Sequence, residues 1–261
     1  MAKPLDALLE LVASRDAVAK LYFVGDYVNR GPDSRSVIDR LLALAPGSAR
    51  FVRGNHDDIL DQILHGEPFA PNAAEGHRLV ALRWFLQYGL DATLSSYGAD
   101  AARVAGIAKR ASDVSALDEL IALIPPAHRA FIHSLEPMID EADLFVAHGN
   151  WNPRESDATI AERLSIDPDA RRRLLWRRFG TNDITNDKAW KRVGYFGHTP
   201  VDLYPELLPD SQQLVPIEMS NIRLIDTAAA LLPHGRLTAY CHEESTFLQV
   251  DREGRFIDNQ T

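Results

Sequence analysis

Short apolar runs recur along the chain and predict buried strands. Four of them are Leu21–Val24, Phe51–Val52, Leu144–Val146 and Val193–Phe196. Runs of this length, rich in β-branched and aromatic residues, are typical of strands covered on both faces. Each run is followed within a few residues by a polar side chain that can bind a metal ion. Because such side chains gather beyond the carboxyl ends of strands in α/β sheets, we expect the four segments to converge.

Other segments show different periodicities. Residues 1–14 place leucines on one helical face, and Pro4 suits a first helical turn. Residues 58–140 carry mainly helical patterns and predict a helical insertion. Three late runs separated by turn residues predict a terminal antiparallel meander: Ile222–Ile225, Arg236–Tyr240 and Thr246–Val250. Periodicity alone therefore supports a mixed α/β fold.

Composition narrows the class of protein. The 261 residues, 46% of them hydrophobic, suit a single domain spanning residues 1–261. A net charge of −9 disfavours nucleic acid and anionic membranes as partners. The single cysteine, Cys241, excludes an intrachain disulfide, and the sequence shows neither a signal-peptide pattern nor an apolar run of about 18 residues. We expect a cytoplasmic protein, whose oligomeric state the sequence leaves open.

The polar residues after the four runs form recognisable blocks. They are Gly25-Asp26-Tyr27-Val28-Asn29-Arg30-Gly31, Arg53-Gly54-Asn55-His56-Asp57-Asp58, Ala147-His148-Gly149-Asn150 and Gly197-His198-Thr199-Pro200. Together they resemble the phosphoprotein phosphatase branch of the calcineurin-like metallophosphoesterases. Residues 85–98 and 124–128 are similar to segments of its bacterial serine/threonine phosphatase members. The resemblance implies a four-layer α/β/β/α sandwich, with the site at the loop edge of two facing mixed sheets.

The resemblance also implies a ligand set for two divalent metal ions. Asp26 would bridge them, and Asn55, His148 and His198 would complete the second site. Oxygen and imidazole ligands without thiolates favour Mn, with Fe or Zn as alternatives. A water bridging two such ions becomes a hydroxide that attacks phosphorus. Taken singly, a Gly-Asp pair is more often a turn, and a lone histidine can be a core residue; the combination favours the metal site.

One block of the resembled family is absent from the sequence. The family opens with Gly-Asp-x-His-Gly, which supplies the first metal ion with an Asp and a His, and no Asp-x-His precedes Asp26. Two explanations stay open: Met1 is an internal methionine of a longer protein, which we favour, or the block was lost naturally. In either case we expect one metal ion to bind well and a second weakly. Absence of the first strand would also leave strand edges unpaired.

His56 would act as the general acid on the departing alkoxide, as the resemblance implies. The family has an Asp where this chain has Asn29. We expect the Asn29 side-chain oxygen to orient the imidazole without the negative charge that would stabilise its protonated form. Asp57 or Asp58 could compensate, although a capping or solvated position on the following helix is the favoured interpretation.

Three arginines are candidates for binding phosphate, because a guanidinium contacts two phosphate oxygens at once. Arg30 and Arg53 flank the metal blocks, whereas Arg178 lies in a segment that could equally be a solvated helix face. Asp226 and Thr227 resemble a late family turn, to which we assign a structural role. Surface or capping positions are expected for the remaining histidines: His65, His77, His128, His133, His234 and His242.

The leading functional prediction is a metal-dependent phosphomonoesterase of the serine/threonine protein phosphatase type, impaired by the missing block. Its substrate would be a phosphorylated protein or a small phosphoester. A symmetrical dinucleoside polyphosphate hydrolase is an alternative enzyme, because its relatives share nearly all the blocks. The alternative outside enzymes is a phosphate-ligand-binding pseudoenzyme, which the absent block and Asn29 motivate.

Overall fold

The computed structural model describes residues 1–66, 69–70, 77–151, 164, 166–186, 190–210 and 213–258. The α-helices in these ranges are α1 (Ala2–Arg15), α2 (Ser34–Leu42), α3 (Asn55–His65), α4 (Arg78–Phe85), α5 (Leu90–Ser96), α6 (Ala101–Lys109), α7 (Val114–Leu123), α8 (Pro126–Ser134), α9 (Pro168–Trp176) and α10 (Thr181–Thr185). Short 3₁₀ turns cover Leu86–Tyr88, Val201–Leu203 and Pro205–Leu207.

The strands are β1 (Leu21–Phe23), β2 (Ala49–Phe51), β3 (Ile139–Asp140), β4 (Leu144–Ala147), β5 (Val193–Phe196), β6 (Ile217–Met219), β7 (Ile222–Leu224), β8 (Leu237–Cys241), β9 (Thr246–Val250) and β10 (Phe256–Ile257). All four apolar runs that precede the metal blocks therefore contain or adjoin a strand, as the sequence predicts.

The strands form three sheets. The largest has the order β3-β4-β5-β7-β6, with β4, β5 and β7 parallel and antiparallel strands at both edges. Strands β1 and β2 pair in parallel, and β8, β9 and β10 form an antiparallel sheet. Within the described residues, β1 pairs only with β2 and its other edge has no strand partner.

Apolar side chains hold the sheets together in layers. Alternation along β1 turns Tyr22 toward the large sheet, where it packs near Val146 and Tyr195, and Phe23 toward the helices. Strand β8 contributes Tyr240 to the same inter-sheet cluster. The opposite face of the large sheet packs on α9 and α10, while α1 covers β8 and β9. Helices thus lie outside stacked sheets, which confirms the predicted α/β fold class.

The predicted terminal meander is wrong in its first strand. Strand β7 joins the large sheet, parallel to β5, instead of pairing with β8. Its residues Ile222 and Leu224 are fully buried, which a central strand of a two-sided sheet requires. The other two runs do form the predicted antiparallel pair, β8 and β9.

In its described residues, the span between β2 and β3 contains the six α-helices α3 through α8 together with short turns. Helix α1 begins at Ala2 and buries Leu5 and Leu8, which agrees with the predicted apolar face. No helix in the described ranges is long and apolar enough to cross a membrane.

Candidate metal centre

The loops after β1, β2, β4 and β5 bring four predicted metal ligands together. Asn55 Oδ1 lies 3.0 Å from His148 Nε2 and 2.9 Å from His198 Nδ1. Asp26 Oδ1 lies 3.3 Å from His148 Nε2. Ligand atoms of Asp26, His148 and His198 all lie within 4.8 Å of one another. The structure therefore assembles a compact set of oxygen and nitrogen donors.

Hydrogen bonds on the far side of each imidazole determine which ring nitrogen faces the cluster. His148 Nδ1 donates to the Val24 carbonyl at 2.7 Å, and His198 Nε2 donates to the Trp176 carbonyl at 3.1 Å. In the neutral His198 ring, Nδ1 then presents its lone pair to Asn55 Oδ1, which is also an acceptor. In His148, the Asp26 carboxylate raises the pKa against the effect of burial, so Nε2 carries a proton toward Asn55 and Asp26 when no metal ion is bound. A divalent cation would take the place of that proton, so these residues suit the metal ion that the sequence predicts.

Charge around Asp26 supports the same interpretation. Burial opposes its ionisation, but His148 and His56 outweigh burial and hold the pKa of Asp26 below its ordinary value. The carboxylate consequently stays negative within the cluster. Burial lowers the pKa of His198 to about 3, and the nearby His148 contributes to this shift. A neutral imidazole is the form that binds a metal ion.

The backbone of the site is strained at the functional positions. Asp26, Asn29, Arg30 and His198 have φ angles of 62°, 73°, 59° and 62°, in the left-handed region that non-glycine residues rarely adopt. Strain of this kind costs on the order of 1–3 kcal/mol per residue and is retained where surrounding contacts enforce it. The left-handed conformation lets short loops direct the side chains of Asp26 and His198 into the ligand cluster.

Asp57 fixes the Asp26 loop against α3. Its buried carboxylate accepts hydrogen bonds from the backbone nitrogens of Asp26, Tyr27 and Gly54 at 2.8, 3.0 and 2.9 Å. Burial and the charge of Asp26 raise the pKa of Asp57 to about 7, while these donors act in the opposite direction. Asp57 thus caps the helix but is not solvated, and its carboxylate is engaged by the backbone and not by His56.

His56 is held by Asn29 in an orientation that differs from the predicted one. The Asn29 amide nitrogen, not its oxygen, faces His56 Nδ1 at 3.0 Å. The oxygen accepts a hydrogen bond from Thr93 Oγ1 at 3.0 Å, and Thr93 in turn accepts one from the Asn29 backbone nitrogen. Because Asn29 donates to Nδ1, the neutral His56 ring carries its proton on Nε2.

The surroundings of His56 disfavour its protonated form. Burial lowers the pKa of His56 to about 4, and the positive charge of Arg30 acts in the same direction, against the attraction of Asp26. The Phe85 ring lies 5.3 Å from the imidazole between ring centroids. His56 is therefore neutral near pH 7, which agrees with the predicted weakness of this general acid.

Asn29→Asp is expected to raise the pKa of His56 by roughly 1–3 units, because a carboxylate accepts a proton from Nδ1 and stabilises the imidazolium. Thr93 can still donate to the other carboxylate oxygen. NMR titration of the His56 imidazole measures the shift directly, with Asn29→Ala as a control that removes the amide without adding charge. An unchanged His56 pKa in Asn29→Asp would show that residue 29 does not control the pKa of His56.

The depressed histidine pKa values make the metal-free fold sensitive to acid. An unfolded chain protonates histidines near a pH of about 6.5, whereas the folded chain protonates His56 and His198 only near 4 and 3. Between these values the unfolded state binds more protons than the folded state. The contribution of the two histidines to the free energy of unfolding is therefore fully present above about pH 6.5 and is lost as the pH falls. The two histidines together remove roughly 6 kcal/mol by pH 4. Asp57, whose pKa is raised to about 7, acts in the opposite direction, because the folded state binds its proton first. We expect a net loss of roughly 2–4 kcal/mol by pH 4, measured by urea unfolding. His56→Gln should flatten this slope; an equally steep slope would contradict the assignment.

The three candidate phosphate-binding arginines are placed differently. The side chains of Arg30 and Arg178 are exposed, and neither forms an ion pair with a described residue. Arg30 acts electrostatically on His56, and Arg178 on His198, so both cations lie near the candidate centre.

Arg53 requires a correction. Its buried guanidinium contacts Asp58 at 3.1 Å and Asp61 at 2.7 Å, and it donates to the carbonyls of Ile132 and His133. Both terminal nitrogens are thus engaged within the protein, so Arg53 joins α3 to α8 and does not bind substrate. Asp58 is buried in this network and not solvated.

Two other sequence predictions concern Asp226 and His128. Asp226 Oδ1 accepts a hydrogen bond from the Ala228 nitrogen at 3.0 Å, as a structural turn residue does. His128 is buried between Tyr97 and Asp39, at 2.8 and 3.0 Å, so the predicted surface role is wrong for it. Sequence reasoning also missed Thr93, since nothing in the local pattern links it to Asn29.

Aromatic side chains adjoin the centre, and the sequence did not reveal this either. The Trp84 ring lies 4.9 Å from Tyr88 and 5.5 Å from Trp176, between centroids. Trp176 is the residue whose carbonyl holds His198. Tyr88 is exposed and immediately precedes Gly89, which accepts the Arg30 backbone hydrogen bond. A cluster of one exposed and two half-buried aromatic rings therefore adjoins the loops of the candidate centre.

Segments of the sequence match curated proteins. Curated relatives include two symmetrical bis(5'-nucleosyl)-tetraphosphatases. That of Legionella pneumophila (strain Corby) is 42% identical over 67 residues, covering 25% of this chain and 24% of the relative. That of Ralstonia nicotianae is 51% identical over 51 residues, covering 19% and 18%. The chain thus matches about a quarter or less of the length of these relatives.

A solved metallophosphoesterase from Sphaerobacter thermophilus aligns over 98% of this chain and 84% of its own, with 15% identity and a TM-score of 0.43. Residues 2–202 match the family described as calcineurin-like phosphoesterase, which is more than half of the sequence. With that match over the strands and loops that bear Asp26, Asn55, His148 and His198, the chain belongs to the calcineurin-like phosphoesterase family.

Proposed function

We propose that this protein is a metal-dependent phosphomonoesterase of the serine/threonine protein phosphatase type. The observation that carries the proposal is the convergence of His148 Nε2 and His198 Nδ1 with the Asn55 and Asp26 oxygens. Bound divalent ions, with Mn as the leading candidate, supply a Lewis acid and an activated water for attack on phosphorus. Within the described residues, Asp26 is grouped with His148 and His198 as possible ligands of a metal ion.

The remaining residues bind and orient the phosphoester. Arg30 and Arg178 are exposed cations near His56 and His198, and a guanidinium group can contact two phosphate oxygens at once. A bound phosphate dianion also offsets the charge of Arg30 and favours a protonated His56, for which the Asn29 amide would turn its oxygen toward Nδ1. His56 Nε2 then delivers a proton to the departing alkoxide.

Leaving-group dependence tests the role of His56. A p-nitrophenolate needs no proton to depart, whereas the alkoxide of a phosphoserine does. We expect His56→Gln to slow hydrolysis of a phosphoserine peptide by about 10²–10⁴-fold and to affect p-nitrophenyl phosphate much less. Equal losses on both substrates would contradict a proton donor at position 56.

Hydrolysis of dinucleoside polyphosphates is a second candidate function. It is supported by the curated relatives, tetraphosphatases that match one segment of this chain, and by the aromatic cluster of Trp84, Tyr88 and Trp176. Aromatic rings stack on nucleobases whatever their sequence. A nucleoside bound there would extend its phosphates toward Arg30 or Arg178.

The substrate is decided by a panel of phosphopeptide, diadenosine tetraphosphate and p-nitrophenyl phosphate in Mn²⁺. The panel compares this chain with one that carries a family-like Gly-Asp-x-His-Gly segment before residue 1. Preferential turnover of phosphopeptide supports the phosphatase, and preferential turnover of the dinucleotide favours the second candidate. If neither chain turns over any substrate but both bind phosphate, the protein is a phosphate-binding pseudoenzyme.

A further inference from the structure

A second group of metal-binding side chains lies away from the candidate centre, where α3 packs against α8. It consists of Asp61 and His65, one turn apart on α3, and His133 on α8. His65 Nδ1 lies 2.6 Å from Asp61 Oδ1, and His133 Nδ1 lies 3.2 and 3.3 Å from the two Asp61 oxygens. The two imidazole rings are 4.7 Å apart between centroids.

The spacing between His133 and Asp61 matches that of a tetrahedral transition-metal site. With metal-to-ligand bonds of about 2.0–2.1 Å, tetrahedral ligand atoms lie about 3.3 Å apart. The separations between His133 and Asp61 already have this value. The shorter contact, between His65 Nδ1 and Asp61 Oδ1, is a hydrogen bond through one shared proton. A metal ion in place of that proton would lengthen the distance. Two ligands one helical turn apart plus a third from a neighbouring helix leave a fourth position for water.

Burial and charge prepare Asp61 for this role. Its side chain is 2% exposed, and Arg53 Nη1 holds its Oδ2 at 2.7 Å, which leaves Oδ1 directed at both histidines. Such a partner behind a ligating carboxylate is common in metal sites. Asp58 also pairs with Arg53, so the three charges sum to one negative charge. The side chains of His65 and His133 are 33% and 64% exposed, so an ion can reach them from solvent.

We propose that Asp61, His65 and His133 bind a divalent transition-metal ion of the zinc class and that this ion joins α3 to α8. Helix α3 begins with Asn55 and His56, so its C-terminal half would be anchored while its first turn serves the candidate centre. Carboxylate and imidazole donors without thiolates suit Zn²⁺, Co²⁺ or Ni²⁺. The ion replaces the proton on each Nδ1, which moves to Nε2 in a neutral ring.

The test is titration of the full chain with Co²⁺, followed by visible absorption, and with Zn²⁺, followed by calorimetry. His133→Gln and His65→Gln should each weaken one equivalent of binding by at least about tenfold. The matched control is His234→Gln, which changes an exposed histidine outside the cluster. Circular dichroism confirms that each variant is folded, and the high exposure of His133 makes it the gentler substitution.

Nitrogen-15 NMR of the imidazoles gives a second readout, which does not depend on the number of metal ions bound per chain. In saturating Zn²⁺ the Nδ1 atoms of His65 and His133 should lose their protons and shift together. The proposal is overturned if both variants bind every equivalent as tightly as the unmodified chain. It is equally overturned if Nδ1 of both histidines stays protonated in saturating Zn²⁺.

Discussion

Replacing Asn55 with leucine is expected to weaken Mn²⁺ binding by at least about 100-fold. Loss of a residue that merely orients a metal ligand costs about 10–100-fold in affinity, so loss of a ligand should reach or exceed that range. Asn55 Oδ1 is the atom on which His148 Nε2 and His198 Nδ1 converge, at 3.0 and 2.9 Å. Leucine has a similar shape but no oxygen. Calorimetric titration with Mn²⁺ measures the change.

Asn55→Asp is the matched control, because it keeps an oxygen at the same place and adds a negative charge. We expect it to bind Mn²⁺ at least as tightly as the unmodified chain. Without metal, the new carboxylate should draw protons onto His148 and His198, which NMR titration detects. Equal Mn²⁺ affinity in the leucine variant and the unmodified chain would exclude Asn55 as a ligand.

Gly54→Ala is expected to disrupt both the fold and the site, with a loss of stability of at least about 3 kcal/mol. A Cβ at position 54 would lie 2.1 Å from Asp26 Oδ1 and 2.4 Å from the Asp26 nitrogen. Neither atom can retreat easily, since the Asp57 carboxylate holds the Asp26 nitrogen at 2.8 Å. The loops that follow β1 and β2 would have to separate, which removes the bridging ligand from the cluster.

The clash at Gly54 is steric and not conformational, because the residue has a φ of −92° that alanine adopts without strain. Gly106 in α6 provides the contrast: a Cβ there meets no heavy atom closer than 3.8 Å. Gly106→Ala should stabilise the chain by about 0.5–1 kcal/mol. Urea unfolding of the two variants side by side measures both effects. A Gly54→Ala chain as stable as the original would show that the two loops are less tightly packed than the structure indicates.

The elements that the sequence predicted well are those with a local physical cause. An apolar run such as Leu144–Val146 is buried because of its own composition, and His148 follows it along the backbone. The strand and the ligand could therefore be predicted from the same short segment. The amphipathic spacing of α1 was readable for the same reason. By contrast, β7 has the same local pattern in either sheet, and only its pairing with β5 assigns it to the large one.

Side-chain partners distant in sequence were beyond prediction. Asn29 presents its nitrogen to His56 because Thr93, 64 residues away, occupies its oxygen. Arg53 looked like a phosphate ligand beside its block, yet it is held by Asp61 and by carbonyls 79 and 80 residues away. These choices depend on which surfaces meet when the chain folds.

The sequence by itself determined the strand segments, the ligand types that follow them and the family to which these blocks point, since each depends on residues close together along the chain. Only the tertiary structure decided which nitrogen each histidine presents, which arginines remain free, and that Asp61, His65 and His133 meet. The physical reason is that hydrogen bonds and ion pairs are satisfied between segments brought together by burial, and the local sequence does not specify those partners.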